Sequence, residues 1–495
     1  MSKLENLEPN RVFYYFEKLA GIPHGSRNTK AISDYLVSFA KEFDLEHYQD
    51  EANNVVIIKE ATPGYENAEP VIIQGHMDMV CEKTEDCTID FEKDGLDLYV
   101  DGDFLRAKGT TLGGDDGNAV AYALALLESK EYAHPRLEVV ITVDEEIGLL
   151  GAKVMNLSML KGHKMLNIDS DVEGQFLTSC AGGLSVNAKI PVKRMSMEGI
   201  LSTITIDGLF GGHSGAEIDK ERGNADILMG RALKAISEET PFGLYTLKGG
   251  LKDNAIPRTC QTQILLPNEE AYTLVSQVIE TLNVTLKKEL VACDPDICIT
   301  ISSEGASTCD ILDFASTNKI IYLLRTLPNG VQHMSMQIEG LVETSLNLGI
   351  LELKEEHLFL VVSLRSSVGS RKDDLCDRVC QIIEMVGGEY TIEGAYPAWE
   401  YIADSVLREE VALVYEKLFG EAPAFDAIHA GLECGILSEK IENLDCVSFG
   451  PTNLDIHTPM ERLSISSTER VWKFIVEFLK NAKERELINF CVNVA

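Results

Sequence analysis

The sequence predicts an α/β fold, in which a doubly wound, mostly parallel sheet forms one domain and an inserted α+β domain interrupts it. The 495 residues exceed what one hydrophobic core accommodates, so two domains are expected. Short apolar runs alternate with helix-like segments near the start of the chain, which is the pattern of parallel βαβ units. That pattern stops near Cys180 and returns after Pro397. We therefore expect a first domain built from residues 1–184 and 397–495, with residues 185–396 inserted.

The first part of the chain supplies the sheet. Its apolar runs are short and rich in valine and isoleucine, like buried strands, and its helical segments carry apolar residues at helical spacing. The predicted strands are 54–59, 70–74, 137–143 and 164–168. The predicted helices are 11–20, 30–43, 118–129 and 148–160. In a parallel sheet ligands bind beyond the carboxyl ends of the strands, so the polar residues that follow these strands are candidates for a functional site.

The middle and last parts of the chain differ in pattern. In the middle part, strand-like segments are followed by glycine-containing turns and long helices, which indicates an α+β domain. Its predicted strands are 200–207, 259–266 and 358–364, and its predicted helices are 224–238, 269–289 and 373–386. The last part is predicted to contain the helix 405–419, the strand 444–449 and the helix 464–485, which complete the first domain.

Charge and cysteine content argue against several classes of function. The chain has 79 acidic and 44 basic residues, a net charge of −35, and such a field repels nucleic acid and anionic membranes. No apolar run is long enough to span a bilayer, and the first residues are polar, unlike a secretory signal. The twelve cysteines are scattered without a Cys-x-x-Cys motif, which is typical of a reducing compartment. A cytoplasmic protein is expected.

Side chains that bind metals follow three of the predicted strands. His76 and Asp78 follow the strand 70–74, Glu145 and Glu146 follow the strand 137–143, and Asp169 follows the strand 164–168. Each pair or single residue alone is more typical of a turn or a solvated surface. Together, at one edge of one sheet, they form a set of ligands.

Two divalent cations that share one carboxylate would use this set with two further residues. Asp115, in a glycine-rich turn, is placed to bridge the two ions. We expect His76 and Asp169 to hold one ion, and Glu146 and His457 to hold the other. Zinc is the expected metal, with manganese or cobalt as alternatives.

Two carboxylates are left for the chemistry. Adjacent residues at a strand end point in different directions, so Glu146 can bind metal while Glu145 faces the water between the ions and acts as general base. A ligating histidine usually donates its second N–H to an acceptor, and Asp78 is placed to receive that of His76. The activated water attacks a carbonyl, and Glu145 passes the proton to the leaving amine. The expected reaction is hydrolysis of an amide.

Five segments of the chain resemble the signatures of a known enzyme family. They are 74–80 (QGHMDMV), 109–117 (GTTLGGDDG), 144–148 (DEEIG), 166–170 (LNIDS) and 429–435 (HAGLECG). They are similar to the co-catalytic zinc dipeptidases and aminoacylases and, within them, to the bacterial aminoacyl-histidine dipeptidases. The resemblance covers nearly the whole chain, and it gives the metal and base roles to the residues assigned above. It also implies a cis peptide between Asp115 and Asp116, although Gly114 and Asp116 stand where relatives often have Ala and Asn.

The resemblance implies that the inserted domain is a lid. Three of its segments resemble substrate-contacting motifs: 210–215 (FGGHSG), 249–258 (GGLKDNAIPR) and 364–367 (LRSS). In them His213 would stabilise the oxyanion, Asn254 would contact the substrate, and Arg365 would pair with the substrate carboxylate. Gly431 and Glu433 would line the pocket. The implied substrate is a dipeptide with histidine at its carboxyl end, such as β-Ala-His.

Two other functions stay open. An N-acyl amino acid deacylase would use the same metals and the same base, but it would not require a free amino terminus. A catalytically silent metal- or peptide-binding protein would keep the fold, although the presence of Glu145 and of every ligand argues against it. The sequence also leaves open a homodimer, because relatives with smaller lids take the residue that corresponds to His213 from a partner subunit.

Overall fold

Residues 3–483 are described by the computed structural model of the protein. The first part of the chain contains the helices α1 (Asn10–Ala20), α2 (Lys30–Glu42), α3 (Gly114–Glu128) and α4 (Leu150–Val154). Its strands are β1 (Glu46–Gln49), β2 (Val55–Lys59), β3 (Val71–His76), β4 (Leu98–Asp101), β5 (Phe104–Ala107), β6 (Leu137–Thr142), β7 (Lys164–Asn167) and β8 (Gln175–Cys180).

The middle part contains the helices α5 (Ala225–Glu239), α6 (Glu269–Glu289), α7 (Phe314–Thr326) and α8 (Gly369–Met385), and a short 3-10 helix, Ile218–Lys220. Its strands are β9 (Gly182–Pro191), β10 (Arg194–Asp207), β11 (Gly212–His213), β12 (Gly243–Gly249), β13 (Ala255–Ile256), β14 (Cys260–Leu266), β15 (Cys298–Leu312), β16 (Gly330–Met334), β17 (Val342–Leu353), β18 (His357–Ser366) and β19 (Glu389–Tyr396). The last part contains α9 (Val406–Phe419), α10 (Glu433–Lys440) and α11 (Ile465–Lys480), with the strands β20 (Ala424–Ile428), β21 (Asp445–Ser448), β22 (Asn453–Leu454) and β23 (Arg462–Ser464).

Contacts between residues divide the chain into two compact units. The first unit runs to Ser179 and resumes with Tyr401–Ala427 and with the chain from Leu432. The second unit comprises Cys180–Glu400 and the short segment Ile428–Gly431. The sequence pattern sets the boundaries at slightly different positions and does not indicate that four residues of the last part belong with the second unit.

The first unit is built on an eight-stranded sheet with the order β1-β2-β6-β3-β7-β21-β8-β20. Its central strands β6, β3, β7 and β21 are parallel, while β2 pairs antiparallel with β6, and β8 pairs antiparallel with β21. Every residue of β3 and β6 is buried, as expected for parallel strands covered on both faces. This is the predicted α/β architecture, with antiparallel strands added at its margins.

Helix α3 lies directly against β3 because Gly75 has no side chain. A Cβ at Gly75 would lie 2.4 Å from Asp116 Oδ2 and 2.5 Å from Ala119 Cβ. This close approach brings the first residues of α3 to the strand that ends at His76. Asp115 and Asp116 themselves depart from helical geometry, so their side chains are placed by the turn and not by the helix.

A small four-stranded sheet joins the last part of the chain to the first. Its order is β22-β23-β5-β4, and β23 pairs antiparallel with β5 through Leu463 and Leu105. Strands β22 and β23 also pair with each other. The loop between them, residues 455–461, is therefore anchored at both ends, and it carries His457.

The second unit is built on a nine-stranded antiparallel sheet with the order β15-β10-β14-β12-β17-β18-β9-β19, with β16 beside β17. Helices α5 to α8 contribute to its own hydrophobic core, which includes Met229, Ile279, Leu323 and Val379. A separate two-stranded sheet pairs β11 with β13. The unit is α+β, as predicted, but it has many more strands than the three that apolar runs indicate. Strands such as β15 alternate exposed serine, threonine and glutamate with few apolar residues, so they leave no apolar run in the sequence.

One predicted helix is wrong in extent. The segment 148–160 is helical only over Leu150–Val154. Leu149 has a left-handed backbone and Met155 an extended one, which bound the helix on both sides. The predicted end of the last helix, at residue 485, lies outside the described residues. None of the helices among residues 3–483 combines the length and the apolar character that a membrane span requires.

Candidate active site

The carboxyl ends of three neighbouring strands bring the predicted ligands of the first unit together. His76 is the last residue of β3, which lies between β6 and β7 in the sheet. Glu145 and Glu146 follow β6, and Asp169 follows β7. Because parallel strands end at one edge, these side chains meet there.

Asp115 lies between two imidazole rings. Its Oδ1 is 3.1 Å from His76 Nε2, and its Oδ2 is 3.1 Å from His457 Nε2. Each carboxylate oxygen thus faces a different histidine, which is the arrangement that a carboxylate bridging two cations requires. The peptide bond between Asp115 and Asp116 is cis, as the resemblance implies.

The two remaining predicted ligands lie on opposite sides of this bridge. Asp169 Oδ1 is 3.7 Å from His76 Nε2, and Glu146 Oε2 is 3.0 Å from His457 Nε2. In each of three sets of residues, potential ligand atoms lie within 4.8 Å of one another. The sets are Asp115 with Glu146 and His457, His76 with Glu145 and Glu146, and His76 with Asp116 and Asp169. The structure therefore brings all five predicted ligands together, and it adds Asp116, which sequence reasoning did not include.

The acidic groups at this edge carry more negative charge than their protein neighbours neutralise. Burial raises the pKa of Glu146 and Asp169, and neighbouring carboxylates raise it further. Burial and the charges of Asp115 and Asp169 raise the pKa of Asp171 to about 8. A cluster of carboxylates that repel one another in a buried site is stabilised by cations.

The two histidines beside Asp115 also favour the binding of cations at this site. Hydrogen bonds with Asp115 and Glu146 raise the pKa of His457 to about 11. The pKa of Asp115 lies below its usual range because, against burial, hydrogen bonds from His457 and His76 favour its charged form. Glu146 Oε1 is buried without a hydrogen-bond partner in the described part of the chain. Two imidazoles, a shared carboxylate and an unpaired carboxylate oxygen are a donor set that fits two divalent cations.

Asp78 orients both His76 and Glu145. His76 Nδ1 lies 2.9 Å from the carbonyl oxygen of Asp78 and 3.6 Å from its Oδ1, so the Nδ1–H donates there and Nε2 is left to bind metal. The backbone N–H of Glu145 donates to Asp78 Oδ1 over 3.1 Å, and the Ser26 hydroxyl donates to Oδ2 over 2.8 Å. Burial raises the pKa of Glu145 well above that of an ordinary carboxyl, which suits a proton acceptor.

His213, in the second unit, is held in one tautomer. Its Nδ1 accepts the backbone N–H groups of Gly215 and Ala216 over 3.1 and 3.0 Å. Burial, followed by the charge of Arg365, lowers the pKa of His213, so the ring is neutral at pH 7. The proton of the ring must then be on Nε2, which makes His213 a hydrogen-bond donor.

Three further predicted residues lie near His213 within the second unit. Strands β11 and β13 pair His213 with Ala255, and the N–H of Ser214 donates to the carbonyl oxygen of the exposed Asn254 over 2.9 Å. Arg365 Nη1 donates to the hydroxyl of Tyr396 over 3.0 Å. A Cβ at Gly431 would lie 2.7 Å from the ring of Tyr396, so only glycine leaves this ring its space.

Arg365 keeps hydrogen-bonding capacity for a ligand. Its Nε is buried and has no hydrogen-bond partner among residues 3–483. Its partner Tyr396 did not emerge from sequence reasoning, because a tyrosine that ends an exposed edge strand has no local signal for a binding role. A guanidinium with a free edge is suited to pair with a carboxylate.

Glu433 lies among the buried residues of the first unit. Its carboxyl group is fully buried, and its Oε2 accepts hydrogen bonds from Gln74 Nε2 and Thr142 Oγ1, both over 2.5 Å. Gln74 lies on β3 and Thr142 on β6, so Glu433 lies beneath the ends of these two strands. Burial raises the pKa of Glu433 to about 8.

Comparisons with known proteins agree with this geometry. The sequence profile described as Peptidase family M20/M25/M40 matches residues 72–481. The cytosol non-specific dipeptidase of Escherichia coli is 35% identical over 482 residues, which cover 97% of this chain and 99% of that protein. The crystal structure of the aminoacylhistidine dipeptidase of Vibrio alginolyticus is 36% identical, with a TM-score of 0.91 over 97% of this chain and 98% of that one. An aminopeptidase from Bacillus cereus shares the fold at 14% identity, with a TM-score of 0.57 over 96% of this chain and 99% of that one.

The resemblance noted from the sequence motifs is thereby confirmed, as is the fold class. The family profile covers the strand that ends at His76, the turn of Asp115 and the loop of His457. The similarity extends over both units and is not confined to the strand ends that carry these residues. This chain belongs to Peptidase family M20/M25/M40.

Proposed function

We propose that this protein is a metal-dependent dipeptidase that hydrolyses the amide bond of short peptides. The observation that carries the proposal is the position of Asp115, whose two oxygens face His76 and His457 at equal distances. A shared carboxylate between two histidines has no evident role in packing, and it is what a pair of hydrolytic metal ions needs.

The residues at the sheet edge would hold two zinc ions. His76 and Asp169 would bind one, Glu146 and His457 the other, and Asp115 both. The donors are nitrogen and oxygen atoms, which suit zinc and also accept manganese or cobalt. When bound, such ions supply Lewis acidity, which lowers the pKa of a water molecule and polarises the amide carbonyl.

The protein's own groups then move the protons. Glu145, oriented through its N–H by Asp78, takes a proton from the attacking water and delivers it to the leaving amine. His213 donates its Nε2–H to the oxygen that becomes negative during attack, because its Nδ1 is occupied by two backbone donors. His213 needs no change of protonation to do so, since it is neutral at the start.

The substrate is proposed to be a dipeptide with a free carboxyl end. Arg365, with its free Nε, would bind that carboxylate, and Asn254 and Gly431 would complete the contacts as parts of a lid domain. The Vibrio alginolyticus relative is named as acting on aminoacylhistidine and the Escherichia coli relative as non-specific. We therefore propose β-Ala-His and other Xaa-His dipeptides as substrates of this chain.

A substrate panel tests this proposal and separates its alternatives. Metal-depleted protein is reloaded with zinc, manganese or cobalt and offered β-Ala-His, dipeptides without histidine, and N-acetyl amino acids. We expect hydrolysis of the dipeptides only. Hydrolysis restricted to the N-acetyl amino acids would instead identify a deacylase. A protein that binds metal but hydrolyses nothing in the panel would be a silent binding protein.

Glu145→Gln tests the general base. The substitution keeps the shape of the side chain but removes its ability to accept the proton, so kcat should fall by about 10²–10⁴-fold. Metal content should stay at the wild-type value, because Glu145 is not one of the proposed ligands. Glu42→Gln, at an exposed position on α2, is the matched control and should leave kcat unchanged. An unchanged kcat in Glu145→Gln would contradict the role of Glu145.

The remaining expectations concern the setting of the enzyme. We propose a cytoplasmic protein that binds neither nucleic acid nor membranes, supported by the acidic composition and the cytosolic name of the Escherichia coli relative. A homodimer stays a prediction, and sedimentation equilibrium of the zinc-loaded protein tests it.

A further inference from the structure

One buried carboxylate lies beside the metal-binding edge without being a candidate ligand. Glu461 is 3% exposed, and its two oxygens accept backbone N–H groups from four consecutive residues. Oε2 accepts from Leu112 and Gly113 over 2.7 and 3.1 Å, and Oε1 accepts from Gly114 and Asp115 over 2.8 and 3.3 Å. The side chain of Asn453 also donates to Oε1, over 3.2 Å.

These contacts join the loop that carries His457 to the turn that carries Asp115. Glu461 ends the loop 455–461, which also carries His457. The four N–H donors belong to the turn that ends at Asp115. The distances between Asp115 and His457 therefore depend on two chain segments that lie far apart in sequence and that meet at the carboxylate of Glu461.

The chemistry of this contact requires a carboxylate. Consecutive N–H groups that point to one place form an anion-binding concavity, and a carboxylate has about four lone-pair positions to fill it. A neutral amide of the same shape has only one acceptor oxygen, and its NH₂ group would face two of the N–H donors. The turn leaves little room for adjustment, because a Cβ at Gly114 would lie 2.8 Å from Asn453 Nδ2 and 3.0 Å from Glu461 Oε1.

We infer that Glu461 is a positioning residue of the metal centre, which fixes the bridging Asp115 relative to His457 by gathering the backbone N–H groups of residues 112–115. This inference rests on the proposed function, since it assigns a role in holding the metal pair. Glu461 binds no metal itself. It sets the spacing of the groups that do, and it thereby sets the affinity and the geometry of the two ions.

The test compares Glu461→Gln with a matched control. Glu138, at the start of β6, is also fully buried, and its carboxylate also accepts backbone N–H groups, from Lys161 and Gly162, and a hydrogen bond from Arg136. It belongs to the same unit but lies at the opposite end of the strand from Glu145. Glu138→Gln therefore reproduces the loss of a buried, N–H-bonded carboxylate without touching the ligands.

Two readouts do not depend on activity. Zinc affinity and stoichiometry are measured by titration of the metal-free proteins against a competing chelator, and the visible absorption spectrum of the cobalt-loaded proteins reports ligand geometry. Glu461→Gln should lower the affinity for at least one of the two ions by about 10–100-fold and should change the cobalt spectrum. Glu138→Gln should bind two ions with wild-type affinity and spectrum, even if urea unfolds it more easily. Glu461→Asp, which keeps the charge on a shorter side chain, should lie between wild type and Glu461→Gln.

Other outcomes overturn the inference. Wild-type affinity and spectrum in Glu461→Gln would do so, and so would an equal loss of affinity in Glu138→Gln. Wild-type protein that takes up no divalent ion would contradict the proposed function itself, and the inference with it. If the variants do not fold, hydrogen exchange of the wild-type, metal-free protein decides. The amide protons of residues 112–115 should be protected, and exchange as fast as in an exposed loop would contradict the role of Glu461.

Discussion

Two backbone N–H groups determine the tautomer of His213. The N–H groups of Gly215 and Ala216 occupy Nδ1, and the lowered pKa keeps the ring neutral, so the only proton of the ring is on Nε2. The sequence motif FGGHSG predicts the residue, while the tautomer follows only from the three-dimensional turn. The proposed donation to the oxyanion thus depends on the two residues that follow Ser214.

His213→Ala is expected to lower kcat by about 10²–10³-fold, because it removes a donor to the developing oxyanion. KM should change little and zinc content should stay at the wild-type value, since the residue is not a proposed ligand. Steady-state kinetics on a dipeptide, together with metal analysis, check this prediction. The control is His47→Ala, which replaces a histidine on β1, the edge strand of the eight-stranded sheet. Wild-type kcat in His213→Ala would refute the proposed role.

Glu433 makes stability depend on pH in a defined direction. Its carboxyl is neutral in the folded protein up to about pH 8, whereas an unfolded glutamate ionises near 4.5. Unfolding between these values releases a proton, so the free energy of unfolding should fall as pH rises from 4.5 to 8, by at most about 1.4 kcal/mol per pH unit. Glu433→Gln should remove this part of the slope.

Urea unfolding of the metal-free proteins at pH 5, 6.5 and 8 checks the prediction. Relative to wild type, Glu433→Gln should gain stability as pH rises, because Gln stays neutral at every pH. Glu42→Gln should keep the wild-type slope. A parallel pH dependence in wild type and Glu433→Gln would show that Glu433 does not titrate in this range.

Residues differ in how far the sequence reveals them. His76, Glu146 and Asp169 were predictable because each follows an apolar run that forms a strand, and neighbouring strands end together. The proposed roles of Glu461 and Tyr396 were not predictable, because they depend on contacts with residues far away in the chain. Nothing in their immediate sequence distinguishes them from other glutamates and tyrosines.

At the level of elements, the close contact between β3 and α3 places His76 near Asp115, two of the proposed ligands. Gly75 allows α3 to lie against β3, and α3 begins at the turn of Asp115. The sequence predicts both elements from their apolar content, but the contact between them depends on the absence of one side chain. The same limitation applies to the strands of the second unit, whose mixed polar faces leave no apolar run.

Gly75→Ala tests this contact. The new Cβ would lie 2.4 Å from Asp116 Oδ2 and 2.5 Å from Ala119 Cβ, so α3 must move away from β3. We expect a loss of about 1–3 kcal/mol in the free energy of unfolding, together with weaker zinc binding. Urea unfolding and chelator competition measure the two effects. Gly21→Ala, whose Cβ would approach no atom closer than 3.4 Å, should change neither. Wild-type stability in Gly75→Ala would contradict the tight contact.

At the level of the whole molecule, we predict that the carboxylates and histidines at the strand ends couple stability to metal binding. Burial and repulsion raise the pKa values of Asp169, Glu146 and Asp171, and nearby carboxylates raise that of His457 to about 11. A carboxyl group whose pKa is raised by folding makes the protein less stable as pH rises from the pKa of the unfolded state to that of the folded state. A histidine whose pKa is raised by folding has the same effect. The lowered pKa of Asp115 changes stability only as pH falls below the unfolded value of 3.8, so it has no effect on this trend near neutral pH.

The metal-free protein should therefore lose stability as pH rises from 5.5 to 8, and zinc should raise its melting temperature more at pH 8 than at pH 5.5. Zinc binding also requires unprotonated histidines, which acts in the same direction. Calorimetry of chelator-treated and zinc-loaded protein at the two pH values checks this prediction. An equal or smaller zinc effect at pH 8 would contradict it.

Chain order predicts the division into a split unit and an inserted unit, because the pattern of the first part returns after Pro397. It does not reveal that Ile428–Gly431 belongs with the inserted unit. These four residues contain no distinctive spacing, and their assignment follows from contacts such as that between Gly431 and Tyr396.

The place of β21 in the sheet has a consequence for biosynthesis. It lies between β7 and β8, although it is made long after both of them. A ribosome that has translated as far as Lys440 has made the whole second unit, yet the sheet of the first unit still lacks an inner strand, and neither His457 nor Glu461 exists. If His457 holds a metal ion as proposed, peptide hydrolysis can begin only after residue 457 has been made. A chain cut short by premature termination before that residue would then be an inert product and not an unregulated peptidase.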